Sequence, residues 1–217
     1  MEKLFAEVWR RIASHHTLGV GTGSTVEAWL DYGFANGYSI PRAVASSDRT
    51  AKILRSSGTD VVDLQSESRL AAYVDSADEV NSAGVCIKGG GGAMTLEKIV
   101  RSASNEFICM VSNQKLKKVL GDFPIAVEVL PFARSYVGRA LLNMGGDPVY
   151  REGFKTDSGN IILDVYGLDL RDISSIEAGL NQVLGIVGHG LFFSYAAEYV
   201  YVEDNSGYQL LICRDCK

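Results

Sequence analysis

The sequence predicts an α/β fold: a mostly parallel, Rossmann-like sheet with helices on both faces, plus an inserted ferredoxin-like α+β domain. Three observations predict it. Short apolar runs of strand length alternate with helix-length segments through the first half of the chain. Beyond Phe123-Pro124 the order becomes strand, helix, two strands, helix, strand. A last pair of strand-like runs then returns to the first pattern. The implied division is a catalytic α/β domain of residues 1–123 and 195–217. Residues 124–194 form the insert, which is suited to oligomerisation.

The elements follow in order. Leu4, Phe5, Val8, Trp9 and Ile12 recur with helical spacing. Leu18-Gly19-Val20 is a short strand entering a glycine turn, and Val26, Trp29 and Leu30 mark a second helix. Ala43-Val44-Ala45 reads as a strand, and Asp48 is expected to cap a helix that Gly58 stops. Further strands are expected at 61–64, 71–74, 85–87 and 107–111, with a helix over 95–104 before the last of these. In the insert, strands are expected at 127–130, 148–151, 161–165 and 190–193, and helices at 135–144 and 173–183. Thr156-Asp157-Ser158-Gly159-Asn160 is rich in turn formers and predicts a hairpin. The runs 199–202 and 209–212 flank Asn205-Ser206-Gly207 and predict a closing hairpin on the first sheet.

Composition excludes several function classes. Of 217 residues, 47% are hydrophobic and 22% charged, which are globular values. The net charge of -5 gives no electrostatic reason to bind nucleic acid. No apolar run reaches membrane-spanning length, and the N-terminus interleaves charged with apolar residues, unlike a signal peptide. A cytoplasmic protein without nucleic-acid or membrane partners is expected. Cys86 and Cys109 lie in apolar runs and read as buried thiols. Cys213 and Cys216 have C-x-x-C spacing, but no second ligand pair accompanies them, so a terminal strand with an incidental exposed thiol is the simpler reading.

The chemistry concentrates in three places. Gly19-Val20-Gly21-Thr22-Gly23-Ser24-Thr25 joins a strand end to a helix start. Glycines admit a close ligand, the helix end offers unpaired N–H groups, and Ser24 and Thr25 add hydroxyls, which together suit a phosphate. A tight turn with a helix cap explains the same residues more plainly. Lys88-Gly89-Gly90-Gly91-Gly92 follows another strand, and four glycines in a row carry a large entropic cost that a plain connector would avoid. Their N–H groups could hold an oxyanion, and Glu97 could serve nearby as general base. The plain alternatives are a surface lysine and a glutamate favoured by the helix dipole. Asp75-Ser76-Ala77-Asp78 ends a third strand, where open α/β sheets gather ligands. Its carboxylates could bind hydroxyls or move protons, or simply cap a turn. No matching histidine or further acid supports a metal.

Taken in order, these stretches resemble the ribose-5-phosphate isomerase A family over nearly the whole chain. Ser46-Ser47, Glu79, Ala93, Lys98 and the runs 123–131 and 156–160 extend the match. The resemblance implies a metal-free, cofactor-free aldose–ketose isomerase. It would interconvert ribose 5-phosphate and ribulose 5-phosphate through an enediolate, in the non-oxidative branch of the pentose phosphate pathway. It implies Glu97 as the proton-transferring base, with Asp75, Asp78 and Lys88 handling hydroxyl protons. It further implies substrate contacts from Thr22, Gly23, Ser24, Thr25, Ser76, Ala77, Gly89, Gly90, Gly91 and Lys115, and a homodimer or homotetramer. Lys115 enters only through the resemblance; alone it reads as a solvated charge. Ser76 stands where the family commonly has glycine, Leu96 where a basic residue is common, and Ser112-Asn113-Gln114 is looser than the usual pattern. A non-catalytic sugar-phosphate sensor and a CoA-transferring enzyme are the competing readings. The joint presence of Glu97, Lys88 and both aspartates disfavours the sensor, and the complete sugar-isomerase motif set disfavours the transferase.

Overall fold

A computed structural model describes residues 1–205 and 207–213. Helix α1 (Glu2–Ile12) buries all five of its predicted apolar residues. It is followed by β1 (Thr17–Val20), α2 (Ser24–Ala35), β2 (Arg42–Ala45), α3 (Asp48–Ser56) and β3 (Asp60–Val61). Then come β4 (Ala72–Asp75), β5 (Glu79–Val80), β6 (Cys86–Ile87), α4 (Met94–Ser102) and β7 (Phe107–Val111). The second half runs β8 (Ile125–Val129), α5 (Arg134–Asn143), β9 (Asp147–Tyr150), β10 (Ile161–Tyr166), α6 (Ile173–Gln182), β11 (Ile186–His189) and β12 (Leu191–Phe192). A hairpin of β13 (Tyr199–Asp204) and β14 (Gly207–Ile212) closes the described chain.

Seven strands form one sheet in the order β14-β13-β7-β4-β1-β2-β3. All its pairings are parallel except β13 with β14. Alternation along the central strands explains the covering of both faces. Ala72, Val74, Ile108 and Met110 join the core beneath α1 and α2, whereas Tyr73, Phe107, Cys109 and Val111 join Met94 and Val100 of α4. On the first face, Trp9 stacks on Trp29 with ring centroids 4.6 Å apart. A Cβ at Gly33 would lie 1.9 Å from the Trp9 ring, so only glycine lets α1 and α2 approach this closely.

A four-stranded sheet in the order β11-β8-β10-β9, all antiparallel, carries the third core with Val137 and Leu141 of α5 and Leu180 of α6. A small antiparallel sheet, β12-β6-β5, joins the two.

The structure corrects the expected elements at three places. The strand expected over 61–64 is only Asp60–Val61, and Leu64 begins a 3-10 turn. The helix near residue 48 is capped by Ser47, whose side chain accepts from Thr50 N, and Asp48 is already helical. The fourth strand of the insert is not 190–193 but Ile186–His189, while Leu191–Phe192 pairs with β6. Gly188 and Gly190 mark close backbone approach. Added Cβ atoms would lie 2.4 Å from Thr95 Oγ1 and 1.8 Å from the Lys88 carbonyl oxygen, respectively.

Candidate active site

The site lies at the carboxyl ends of β1 and β4, where the parallel sheet leaves backbone groups and helix starts facing one crevice. After β1 the chain rises through Gly21, whose N–H donates to Val74 O at 2.9 Å. A Cβ there would fall 1.9 Å from Asp75 Cγ, so glycine is what allows Asp75 to sit beneath the turn. Gly23 caps α2 at φ 115°, a backbone conformation that favours glycine. Ser24 and Thr25 open the helix and bring its unpaired N–H groups to the crevice. The second helix start is tied to the same loop. Ser47 Oγ donates to Thr22 Oγ1 at 2.9 Å, and Thr50 Oγ1 donates to Gly21 O at 2.8 Å.

Beneath this rim lies a buried charged group. Lys88 Nζ is 2.6 Å from Asp75 Oδ2, 2.5 Å from Ser76 O and 3.2 Å from Glu97 Oε2. The Tyr73 hydroxyl also donates to Asp75 Oδ2, and Ser76 N donates to Oδ1 at 2.7 Å. Glu97 Oε2 is close enough to Lys88 for an ion pair but has no aligned hydrogen bond among the described residues, so a buried acceptor stands available to a ligand. Burial pushes the Glu97 carboxyl up to about 8; Lys88 opposes the shift and Asp75 reinforces it. Burial alone would neutralise Lys88, but Asp75 and Glu97 outweigh it and hold the ammonium charged beyond the ordinary lysine range. The Tyr73 hydroxyl is driven well above its usual value by burial and then by the two carboxylates, so it stays a donor.

The glycine loop is fixed from both sides. Gly90 N donates to Asp78 Oδ2 at 2.9 Å, and Gly92 N donates to Gly89 O at 3.0 Å. Arg151, at the end of β9, donates to Gly89 O at 3.0 Å and Gly90 O at 3.3 Å while gripping Asp164 of β10 through two bonds. At the foot of the loop, Lys88 N donates to Gly190 O at 2.8 Å. Gly89 (φ 116°) and Gly92 (φ 76°) adopt backbone conformations other residues rarely take.

A cavity of about 300 Å³ opens over this group. Thr22, Gly23, Ser24 and Thr25 line it from the first loop, and Ser76, Ala77 and Asp78 from the end of β4. Lys88, Gly89, Gly90, Gly91 and Glu97 complete the wall with Lys115 and Arg49. Of the expected catalytic and substrate-contacting residues, only Asp75 does not line the cavity; it is fully buried behind Lys88. Asp75 and Asp78 are therefore not a matched pair, because β4 ends at Asp75 and the chain turns before Asp78. Glu79 faces elsewhere, accepting from Gly121 N and Phe123 N. Ser76 carries no strain, since no described non-glycine residue has positive φ. Leu96 lines a separate 200 Å³ cavity beside α3. No three His, Cys, Asp or Glu side chains cluster as a metal would require among the described residues. Cys86 and Cys109 are buried. Cys216 lies outside the described residues, so the C-x-x-C pair is not placed.

A family model, ribose 5-phosphate isomerase A (phosphoriboisomerase A), matches residues 42–207. The chain belongs to the ribose 5-phosphate isomerase A family. A ribose-5-phosphate isomerase A of Legionella pneumophila (strain Corby) is 50% identical over 190 residues, 88% of each chain. The solved ribose 5-phosphate isomerase A of Neisseria gonorrhoeae superposes with TM-score 0.93 at 37% identity, covering 99% of this chain and 96% of that one. The enzyme of Methanocaldococcus jannaschii gives TM-score 0.89 at 33% identity, with 97% of each chain covered.

Sequence reasoning missed three residues at this family site. Tyr73 lies within the expected strand 71–74, Arg151 ends the expected strand 148–151, and Arg49 is not singled out at all. Arg49 and Arg151 act on segments distant in sequence, 22 and 62 residues away, whereas Tyr73 lies two residues before Asp75 and its hydroxyl is masked by the apolar run around it.

Proposed function

We propose that this chain interconverts ribose 5-phosphate and ribulose 5-phosphate through an enediolate, without a metal or organic cofactor. The observation that carries this is a buried glutamate, raised to about 8, beside a lysine in a cavity rimmed by a phosphate-suited helix start. A carboxylate of that basicity is matched to abstracting a proton near neutral pH. The phosphate rests on Ser24, Thr25 and the start of α2, with Lys115. Glu97 removes the C2 proton of the open-chain aldose and returns it at C1. Lys88 and the glycine-loop N–H groups hold the enediolate oxygens. One such donor is typically worth about 3 kcal/mol of barrier. Asp78 carries protons between hydroxyls, and Asp75 keeps Lys88 charged and in place.

We further propose that residues 124–194 act as a ferredoxin-like insert whose outer surface joins copies of the chain. The apolar side chains Phe132 (104% exposed), Leu184 (82%) and Leu142 (55%) support this, since isolated chains seldom display so much apolar surface in one region. No described helix is long and apolar enough to cross a membrane.

Ribulose 5-phosphate formation from ribose 5-phosphate, with and without chelator, tests the reaction. Equal product in both is expected. Absent product with retained sugar-phosphate binding would favour a sensor, and chelator-sensitive product would overturn the metal-free claim.

A further inference from the structure

We propose that Arg49 is a second phosphate-binding cation of this site, acting with Lys115 to set affinity for the phosphate end of the sugar. The proposal rests on the isomerase reading of the cavity above. Three cations line that cavity: Arg49, Lys88 and Lys115. Lys88 is committed to Asp75 and the Ser76 carbonyl at the floor. Among the described residues, a phosphate dianion at the rim therefore meets only Lys115 and Arg49 as available cations.

Local structure aims Arg49 at this place. It is the second residue of α3, and the Ser47 cap of that helix bonds to Thr22 in the phosphate loop. Arg49 Nη2 donates to Glu27 Oε2 at 2.6 Å, and Glu27 sits in the first turn of α2, the helix whose start forms the cradle. The ion pair thus holds the guanidinium beside the anion site. That single bond uses one of five guanidinium N–H groups, and the side chain is 72% exposed. An exposed pair of this kind contributes little to stability, so its consequence is where it places the charge. A second cavity of about 230 Å³ shares Thr22, Gly23, Arg49 and Gly91 with the first. Arg49 accordingly stands on their common wall, and turning about its stem would keep Glu27 or take phosphate. Lys155 lines only the second cavity and offers a matched control.

The test measures steady-state constants for ribose 5-phosphate and calorimetric affinity for inorganic phosphate in four variants. Arg49→Ala should raise KM about tenfold with kcat nearly unchanged, and weaken inorganic phosphate in parallel. Arg49→Lys should recover part of both. Glu27→Gln frees the guanidinium and removes a nearby negative charge, so it should lower KM. Lys155→Ala should leave KM within about twofold. Unchanged KM and phosphate affinity in Arg49→Ala would overturn the proposal. Equal increases in KM from Arg49→Ala and Glu27→Gln would also overturn it, since the pair would then only tie α3 to α2. So would an equal effect from Lys155→Ala, which would indicate diffuse charge rather than contact. A wild-type protein that makes no ribulose 5-phosphate but loses phosphate affinity in Arg49→Ala would sink the isomerase reading and sustain the Arg49 contact.

Discussion

The floor and the rim of the cavity carry charge under opposite conditions. At the floor, the side chains of Asp75, Lys88 and Glu97 are 0%, 4% and 5% exposed, and Lys88 and Glu97 owe their protonation states to burial and to the neighbouring charges. At the rim, Arg49 is 72% exposed, and water screens whatever it meets. Buried charges are costly unless paired, so the floor must be complete to exist at all. Exposed charges can be added or lost with little effect on folding. The contrast teaches that chemistry and stability are joined at the floor, whereas affinity at the rim can vary independently.

The largest expected effect breaks the floor chemically. Glu97→Gln keeps the shape and removes the base, so kcat should fall by about a hundred- to ten-thousandfold with KM little changed. A change confined to KM would place Glu97 with the rim. Lys88→Met strands two carboxylates in the interior and should cost about 3 kcal/mol in denaturant unfolding, besides activity. A loss typical of a surface lysine would show that the floor is not closed by that ammonium. Gly21→Ala tests the seam between the two regions. Its Cβ would sit 1.9 Å from Asp75 Cγ, so Asp75 or the loop must shift. About 1–3 kcal/mol of destabilisation is expected, with reduced kcat. Ser47→Ala should be smallest, about 1 kcal/mol from the lost helix cap, read from the melting temperature. A larger kcat loss than that of Gly21→Ala would contradict the division.

Much of this contrast was legible in the sequence. The glycines, acids and hydroxyls of both loops could be located because strand ends and helix starts were clear from apolar runs. Burial was less legible. Asp75 and Asp78 have equivalent spacing and chemistry on paper, but one ends inside β4 and the other lies past a turn. Arg151 could not be connected to Gly89, 62 residues away, since that contact depends on docking of the second sheet. The boundary between β11 and β12 was misplaced because the run 190–193 reads as one apolar strand, and nothing local marks the constraints on Gly188 and Gly190. Their meaning depends on Thr95 and Lys88, which only the folded chain brings against them. Arg49 carries no signal of its own in the sequence, and its position follows from the cap and pair that bind α3 to the phosphate loop.

The pH dependence of kcat/KM tests the buried base most directly, because it reports groups of the free enzyme. Burial raises the Glu97 carboxyl to about 8, so lowering the pH through that value protonates the base and removes activity. The rate should rise with pH along a limb centred near 8 and level off above it. A profile already flat from pH 6 upward would show an ordinary carboxylate and contradict the account.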